Sequence, residues 1–176
     1  QIPGLAELVR LIHGGGAAAG IQLAHAGRKS GSASRPLIGP SAVAFDEKSR
    51  VPKEMDASDI ARVVAAFRDG AARALAAGFD LVEVHAAHGY LLHGFLSPVS
   101  NQRADGYGGS TENRARLLLE VLDAIRSVWP EDKPIQVRLS ASDYLARGLD
   151  IEETIRIGMR VLVPFGKKLL TGYVVG

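Results

Sequence analysis

Cysteine is absent from the 176-residue chain. That excludes a disulfide scaffold, a thiolate metal centre and a cysteine nucleophile. A dominant charge is missing too. The 21 Lys and Arg stand against 19 Asp and Glu, a net +2, which is too small an excess to argue for a nucleic-acid partner. No apolar run approaches the roughly 18 residues of a membrane span. The start carries neither Met nor a signal-peptide pattern. Gln1 leads directly into a helical pattern, as a piece of a longer chain would. What is present is enough apolar residue, 47% against 23% charged, to bury a core. The length suits one domain or slightly more.

The order of elements follows from apolar spacing and end signals. Pro3 to His13 reads as a helix with Leu5, Leu8, Val9 and Ile12 on one stripe, stopped at Gly14, Gly15 and Gly16. Ala19 to Ala24 reads as a short strand. Residues 25–52 are rich in Gly, Ser and Pro and form a long loop. Asp56, with Asp59 three residues on, opens a long helix as N-cap and capping box. Its buried face runs through Ile60, Val63, Val64, Phe67, Ala71, Ala74 and Leu75, and Gly78 ends it. Phe79 to Val84 is a second strand. A second insertion, 85–109, holds a short helix near Leu91 to Phe95. Ser110 or Thr111 caps a third long helix, and Pro134 to Leu139 is a third strand. Asp150 with Glu153 repeats the capping box before a helix from Ile151.

Strands alternating with amphipathic helices predict βα units around a parallel sheet, an α/β fold. The strands start about 55–60 residues apart, where a plain unit needs about 30. The excess follows each strand, at the edge where parallel α/β proteins bind ligands.

Polar residues gather at those same strand ends: Gln22, His25 and Arg28; then His85, His88 and Tyr90; then Arg138, Ser140, Ser142, Asp143 and Tyr144. If the strands are neighbours, the groups converge into a donor-rich site suited to polarising a carbonyl or holding an oxygen-rich anion. His85 and His88 are three apart and admit a metal. Without cysteine or an obvious third ligand, paired donation to a substrate oxygen is favoured over a metal-dependent hydrolase, and capping of the loop stays open as a structural role. Gln22 and Arg138 sit at strand positions where a buried polar group needs a partner. A structural bond and a ligand contact stay equally open for both. His25 is easier to satisfy with backbone, and His13 and His93 show no pattern. Gly106 to Ser110 before a helix allows phosphate, but its spacing is neither GxGxxG nor a P-loop. Nearby Arg103, Arg114 and Arg116 have Asp105, Glu112 and Glu120 as partners within reach.

Several motifs then occur in one order: Gln22-Leu-Ala-His-Ala-Gly-Arg28, His85-Ala-Ala-His-Gly-Tyr90, Phe95-Leu-Ser-Pro98 with Asn101, Arg103 and Asp105, Tyr107-Gly-Gly-Ser110, Glu112-Asn-Arg114 and Val137-Arg138. Over residues 1–157 this order resembles the old yellow enzyme family, most closely its thermophilic-like NADPH-dependent ene-reductases. The resemblance implies a (β/α)₈ TIM barrel with non-covalent FMN above the strand ends, of which this chain covers about strands three to five. It implies that Gln22 and Arg138 contact the flavin, that His85 and His88 bind the substrate carbonyl oxygen, and that Tyr90 donates the proton. The implied reaction is NADPH-driven reduction of the C=C bond of an enone, in the cytoplasm, by an often homo-oligomeric flavoprotein without a metal. A whole barrel takes about 250 residues, so impaired activity is expected of this length.

The pattern changes near Ile157. Residues 158–176 read as two short strands around Pro164 to Lys168. They resemble the N-terminus of the primosomal replication-restart helicase, which raises the alternative of a non-catalytic barrel fragment joined to part of a DNA-binding module. The expected division is thus 1–157 and 158–176.

Overall fold

The computed structural model describes residues 1–33, 36–154, 160–165 and 168–173. In chain order the elements are α1 (Ile2–Gly14), β1 (Gly20–Leu23), a 3₁₀ turn (Gly27–Lys29), β2 (Ile38–Gly39), β3 (Lys53–Glu54), α2 (Ala57–Ala76), β4 (Leu81–Ala86), α3 (Leu91–Leu96), α4 (Thr111–Arg126), β5 (Ile135–Leu139), α5 (Ile151–Thr154), β6 (Arg160–Phe165) and β7 (Lys168–Tyr173).

The helix starts form for the reasons the sequence supplied. Asp56 Oδ1 accepts the Asp59 N–H at 2.9 Å, and Asp59 Oδ2 accepts the Asp56 N–H at 3.2 Å, a closed capping box on α2. Ser110 Oγ accepts the Asn113 N–H at 3.3 Å and caps α4. Gly78, at φ +91°, turns the chain from α2 toward β4, a left-handed step that glycine takes without a Cβ penalty.

The three main strands are neighbours, in the order β1–β4–β5, all parallel. Each crossover carries one long helix, α2 between β1 and β4 and α4 between β4 and β5, and the two helices pack on each other. One face of the sheet is apolar. Val82, Val84 and Ala86 are fully buried there against Ile60, Val63 and Phe67 of α2 and Leu117, Val121 and Ile125 of α4, with Trp129 closing the end. Each such buried Val, Leu, Ile or Phe side chain contributes about 1.5–3 kcal/mol of transfer free energy.

The other face is polar. The register aligns Gln22 with Glu83 and Gln136, and His85 with Arg138. Gln22, Gln136 and Arg138 are exposed. Parallel sheets are ordinarily buried on both faces and read as continuous apolar runs. Here the strands alternate instead, so the polar face is set aside for something other than helices.

Several details differ from expectation. β4 runs to Ala86, so His85 lies on the strand and not beyond it. Residues 25–52 are not wholly irregular: β2 and β3 pair in parallel through Ile38–Lys53 and Gly39–Glu54, two residues each and too short to show any period. The expected tail strands are present as the antiparallel hairpin β6–β7, paired from Arg160–Tyr173 to Phe165–Lys168. The capping box at Glu153, and the helix beyond Thr154, lie outside the described residues.

Candidate active site

The polar strand ends do converge, and they do so around an unusual turn. After β4 the chain passes His88 at φ +60° and Gly89 at φ +73°. Two consecutive left-handed residues, one of them not glycine, persist only when the surroundings hold them. Three segments do so. The Ser140 hydroxyl, just past β5, accepts the His88 N–H at 2.9 Å. Lys29 Nζ, from the turn after β1, donates to the His88 carbonyl at 3.0 Å. His93 Nδ1, on α3, accepts the Gly89 N–H at 2.9 Å.

The turn brings three rings together. His85 Nε2 lies 3.3 Å from His88 Nδ1. The His85 ring meets His88 and Tyr90 edge-on, each at 5.0 Å between centroids. The Ala87 N–H donates to His85 Nδ1 at 3.3 Å, so that nitrogen is unprotonated and Nε2 carries the hydrogen. The bond to His88 then leaves the His88 Nε2–H as an outward donor. Burial pushes the His85 imidazole below its ordinary range, reinforced by His88 and Arg138. In this arrangement the pair presents one outward N–H, at His88 Nε2, while the His85 N–H is directed at His88.

Gln22 is not a buried orphan: its amide donates to Glu83 across the sheet, on the exposed polar face. Arg138 is also exposed. The premise of burial at these two positions is corrected: among the described residues the long helices α2 and α4 cover the opposite side of the sheet. His25 is satisfied by backbone, its Nδ1 accepting the Gly27 N–H at 3.0 Å. Arg28 braces a loop by donating to the Val43 and Ala44 carbonyls. The Ser142 hydroxyl accepts the Tyr144 N–H at 2.9 Å, and Tyr144 projects into solvent, 94% exposed.

The Gly106–Ser110 loop is a tight turn with a serine cap. Arg103 does pair with Asp105, at 2.5 Å, while Glu120 accepts from the Tyr107 hydroxyl. Among the described residues no three His, Asp or Glu side chains converge as a metal site, and no helix is long and apolar enough to cross a membrane.

Sequence reasoning missed Lys29, Glu83 and His93. Lys29 Nζ lies 4.3 Å from the Phe45 ring centre and 5.5 Å from that of Tyr90, a cation seated on aromatic faces. Its signal, a basic residue beside Arg28, looked like ordinary loop charge. Glu83 is a carboxylate inside an apolar strand, which was a readable signal.

Parallel βα units, a polar sheet face and the His85–His88–Tyr90 cluster at the strands' C-terminal edge define an α/β protein whose polar groups gather where parallel α/β folds bind ligands. Residues 1–172 match the NADH:flavin oxidoreductase / NADH oxidase family, and the chain belongs to that family. It is similar to the NADPH dehydrogenase of Geobacillus thermodenitrificans, 57% identical over 155 residues, which cover 88% of this chain and 45% of that one. Among solved structures it is similar to morphinone reductase in complex with tetrahydroNAD, with a TM-score of 0.76, 34% identity, and 87% of this chain against 47% of that one covered. It is also similar to Old Yellow Enzyme from Pichia sp. AKU4542, with a TM-score of 0.76, 36% identity and coverage of 80% and 40%. The chain spans about half the length of the curated relatives it matches. The family's description pairs flavin with NADH, and the Geobacillus relative is named an NADPH dehydrogenase. The match runs through much of the 158–176 tail, and the resemblance of that tail to a replication-restart helicase finds no support in these comparisons.

Proposed function

We propose that this chain supplies strands three to five of a (β/α)₈ barrel that binds FMN and reduces, at the expense of NADPH, the C=C bond of an α,β-unsaturated carbonyl compound. The observation that carries the reading is the buried, neutral His85 at 3.3 Å from His88, with Tyr90 against the same ring.

The His85 N–H, exchanging its bond to His88 for one to the substrate, and the outward His88 N–H hold the carbonyl oxygen and draw electron density from the conjugated double bond, leaving its β-carbon electrophilic. FMN, when bound, supplies the hydride that NADPH delivers to it. The Tyr90 hydroxyl, beside the donor pair, holds the proton for the α-carbon. The polar sheet face fits the flavin's ring edge. Arg138 offers exposed positive charge where negative charge gathers, and Gln22 offers an amide whose bond to Glu83 exchanges for one to the ring. Homo-oligomeric assembly and a cytoplasmic location belong to the same reading. So does a boundary near residue 157, supported by the change from parallel βα units to an antiparallel hairpin.

The test replaces the matched 155-residue segment of the Geobacillus thermodenitrificans enzyme with this one and follows NADPH consumption with 2-cyclohexenone. Turnover is expected, falling about 10²–10³-fold in His85→Ala, the usual cost of one lost donor to a developing oxyanion. A chimera that loads FMN and oxidises NADPH but leaves the enone intact would overturn the reading. The isolated chain is expected to hold flavin weakly, and near-stoichiometric flavin on it would contradict that.

A further inference from the structure

His93 lies outside the donor set, yet its two ring nitrogens face two different loops. The residue is 7% exposed. Nδ1 accepts the Gly89 N–H at 2.9 Å. A backbone N–H only donates, so Nδ1 is unprotonated and the hydrogen sits on Nε2. That buried Nε2 has no in-line hydrogen-bond partner. The group facing it is Asp143, with Oδ1 at 3.2 Å and both side chains 8% exposed.

Asp143 is itself immobilised. Its Oδ2 accepts the Ser97 hydroxyl and the Leu149 N–H, each at 2.7 Å. Its own N–H donates to the Leu149 carbonyl at 2.8 Å. Gly148 packs so closely on Asp143 that a Cβ there would overlap it. The carboxylate is therefore a fixed negative point, and it favours the Nε2–H tautomer over the one with hydrogen on Nδ1. The other tautomer would point a donor at the Gly89 N–H. The fields of Arg28, His88 and Lys29 also reach the ring. They oppose a proton on it, as burial does.

We propose that His93 is a positioning residue: with its tautomer set by Asp143, it keeps Nδ1 as a permanent acceptor for Gly89 N–H and so holds the left-handed His88–Gly89 turn that presents His88 and Tyr90. The functional weight of that turn rests on the reading of His85, His88 and Tyr90 given above. The positioning itself does not. Ser140, the second tether of the turn, lies three residues before Asp143 in the same loop. The segment after β5 thus grips the turn after β4 both directly and through His93.

The two carboxamide side chains separate positioning from packing. In His93→Asn the side-chain oxygen would stand where Nδ1 stands, whereas in His93→Gln it reaches the position of Nε2. Gly89 amide exchange is measured on the ¹⁵N-labelled chain with His93→Asn, His93→Gln and His93→Phe, and ring nitrogens are read by long-range ¹⁵N–¹H correlation. In the parent chain His93 Nδ1 is expected at an acceptor-type shift. Gly89 exchange is expected to rise about tenfold in His93→Gln and His93→Phe, the loss of one hydrogen bond of ordinary strength, and to stay near the parent value in His93→Asn. Asp143→Asn is expected to shift His93 toward the Nδ1–H form. A protonated Nδ1 in the parent, equal loss in all three His93 variants, no loss in any, or an unchanged His93 spectrum in Asp143→Asn would each overturn the proposal. Should His93→Phe fail to fold, the Asn and Gln pair decides. None of these readouts needs flavin or turnover, so failed enone reduction and failed positioning are told apart.

Discussion

Replacing His88 by glycine is expected to separate stability from chemistry. His88 holds φ +60°, and left-handed backbone costs a residue with a Cβ about 1–2 kcal/mol. Its ring is exposed, so removing it forfeits little packing. Glycine relieves the backbone cost but gains about 0.4–1 kcal/mol of unfolded-state freedom. The net change for His88→Gly lies between zero and about 1.6 kcal/mol, on the stabilising side. His88→Ala keeps the left-handed cost and also lacks the ring, so it isolates the backbone. It is expected to be about 1 kcal/mol less stable than His88→Gly, or some 2–4 °C in Tm for a chain of this size. On the proposed function both variants also lose a donor to the substrate carbonyl, which is expected to cost about 10²–10³-fold in kcat in the chimeric enzyme. Urea denaturation followed by circular dichroism gives the stability, and NADPH consumption gives the rate. Equal stability of the Ala and Gly variants would refute the left-handed backbone at this position. A loss above about 2 kcal/mol in the Gly variant would show that the ring packs and that the reasoning from exposure is wrong.

Two further outcomes follow from the core and from the base of the sheet. Leu117 is fully buried between α4 and the sheet, so Leu117→Ala is expected to cost about 2–5 kcal/mol in urea denaturation; a cost below about 1 kcal/mol would mean the α2–α4 layer collapses to fill the space. Asp80 accepts the Ala19 N–H and pairs with His13, each at 2.7 Å, and the backbone bond foremost, then His13, holds its carboxyl down at about 2. A depressed carboxylate stabilises the fold above its unfolded value, ordinarily near 4, and that stability disappears as pH falls through about 2. The urea midpoint should fall over that window in the parent chain and fall less in Asp80→Asn; identical slopes would refute the linkage.

How far the sequence could be read differs by element. α2 was legible to the residue at its cap and α4 to within one, Ser110 or Thr111, because Asp56–Asp59 and Ser110 act within three residues. β2 and β3 were not, since two-residue strands have no alternation to detect. Gln22 and Arg138 were located but misjudged as buried. Their strands are short, and nothing in a six-residue window says that one sheet face lacks helices. His93 was passed over because the group facing its Nε2 is not local: Asp143 lies fifty residues on.

The sequence alone determined the alternation of the main strands and helices, the caps at which the long helices start, and the collection of polar residues near each strand's end. These depend on periodicity and end signals that act over one or two turns of chain. Only the tertiary structure decided what those residues do together. It gave His88 a left-handed backbone tethered by Ser140 52 residues away and Lys29 59 residues away. It joined Gln22 to Glu83 across two strands and set His93 against Asp143. Such contacts close long loops, so the stability of the whole sheet holds them, and no local pattern in the chain announces them.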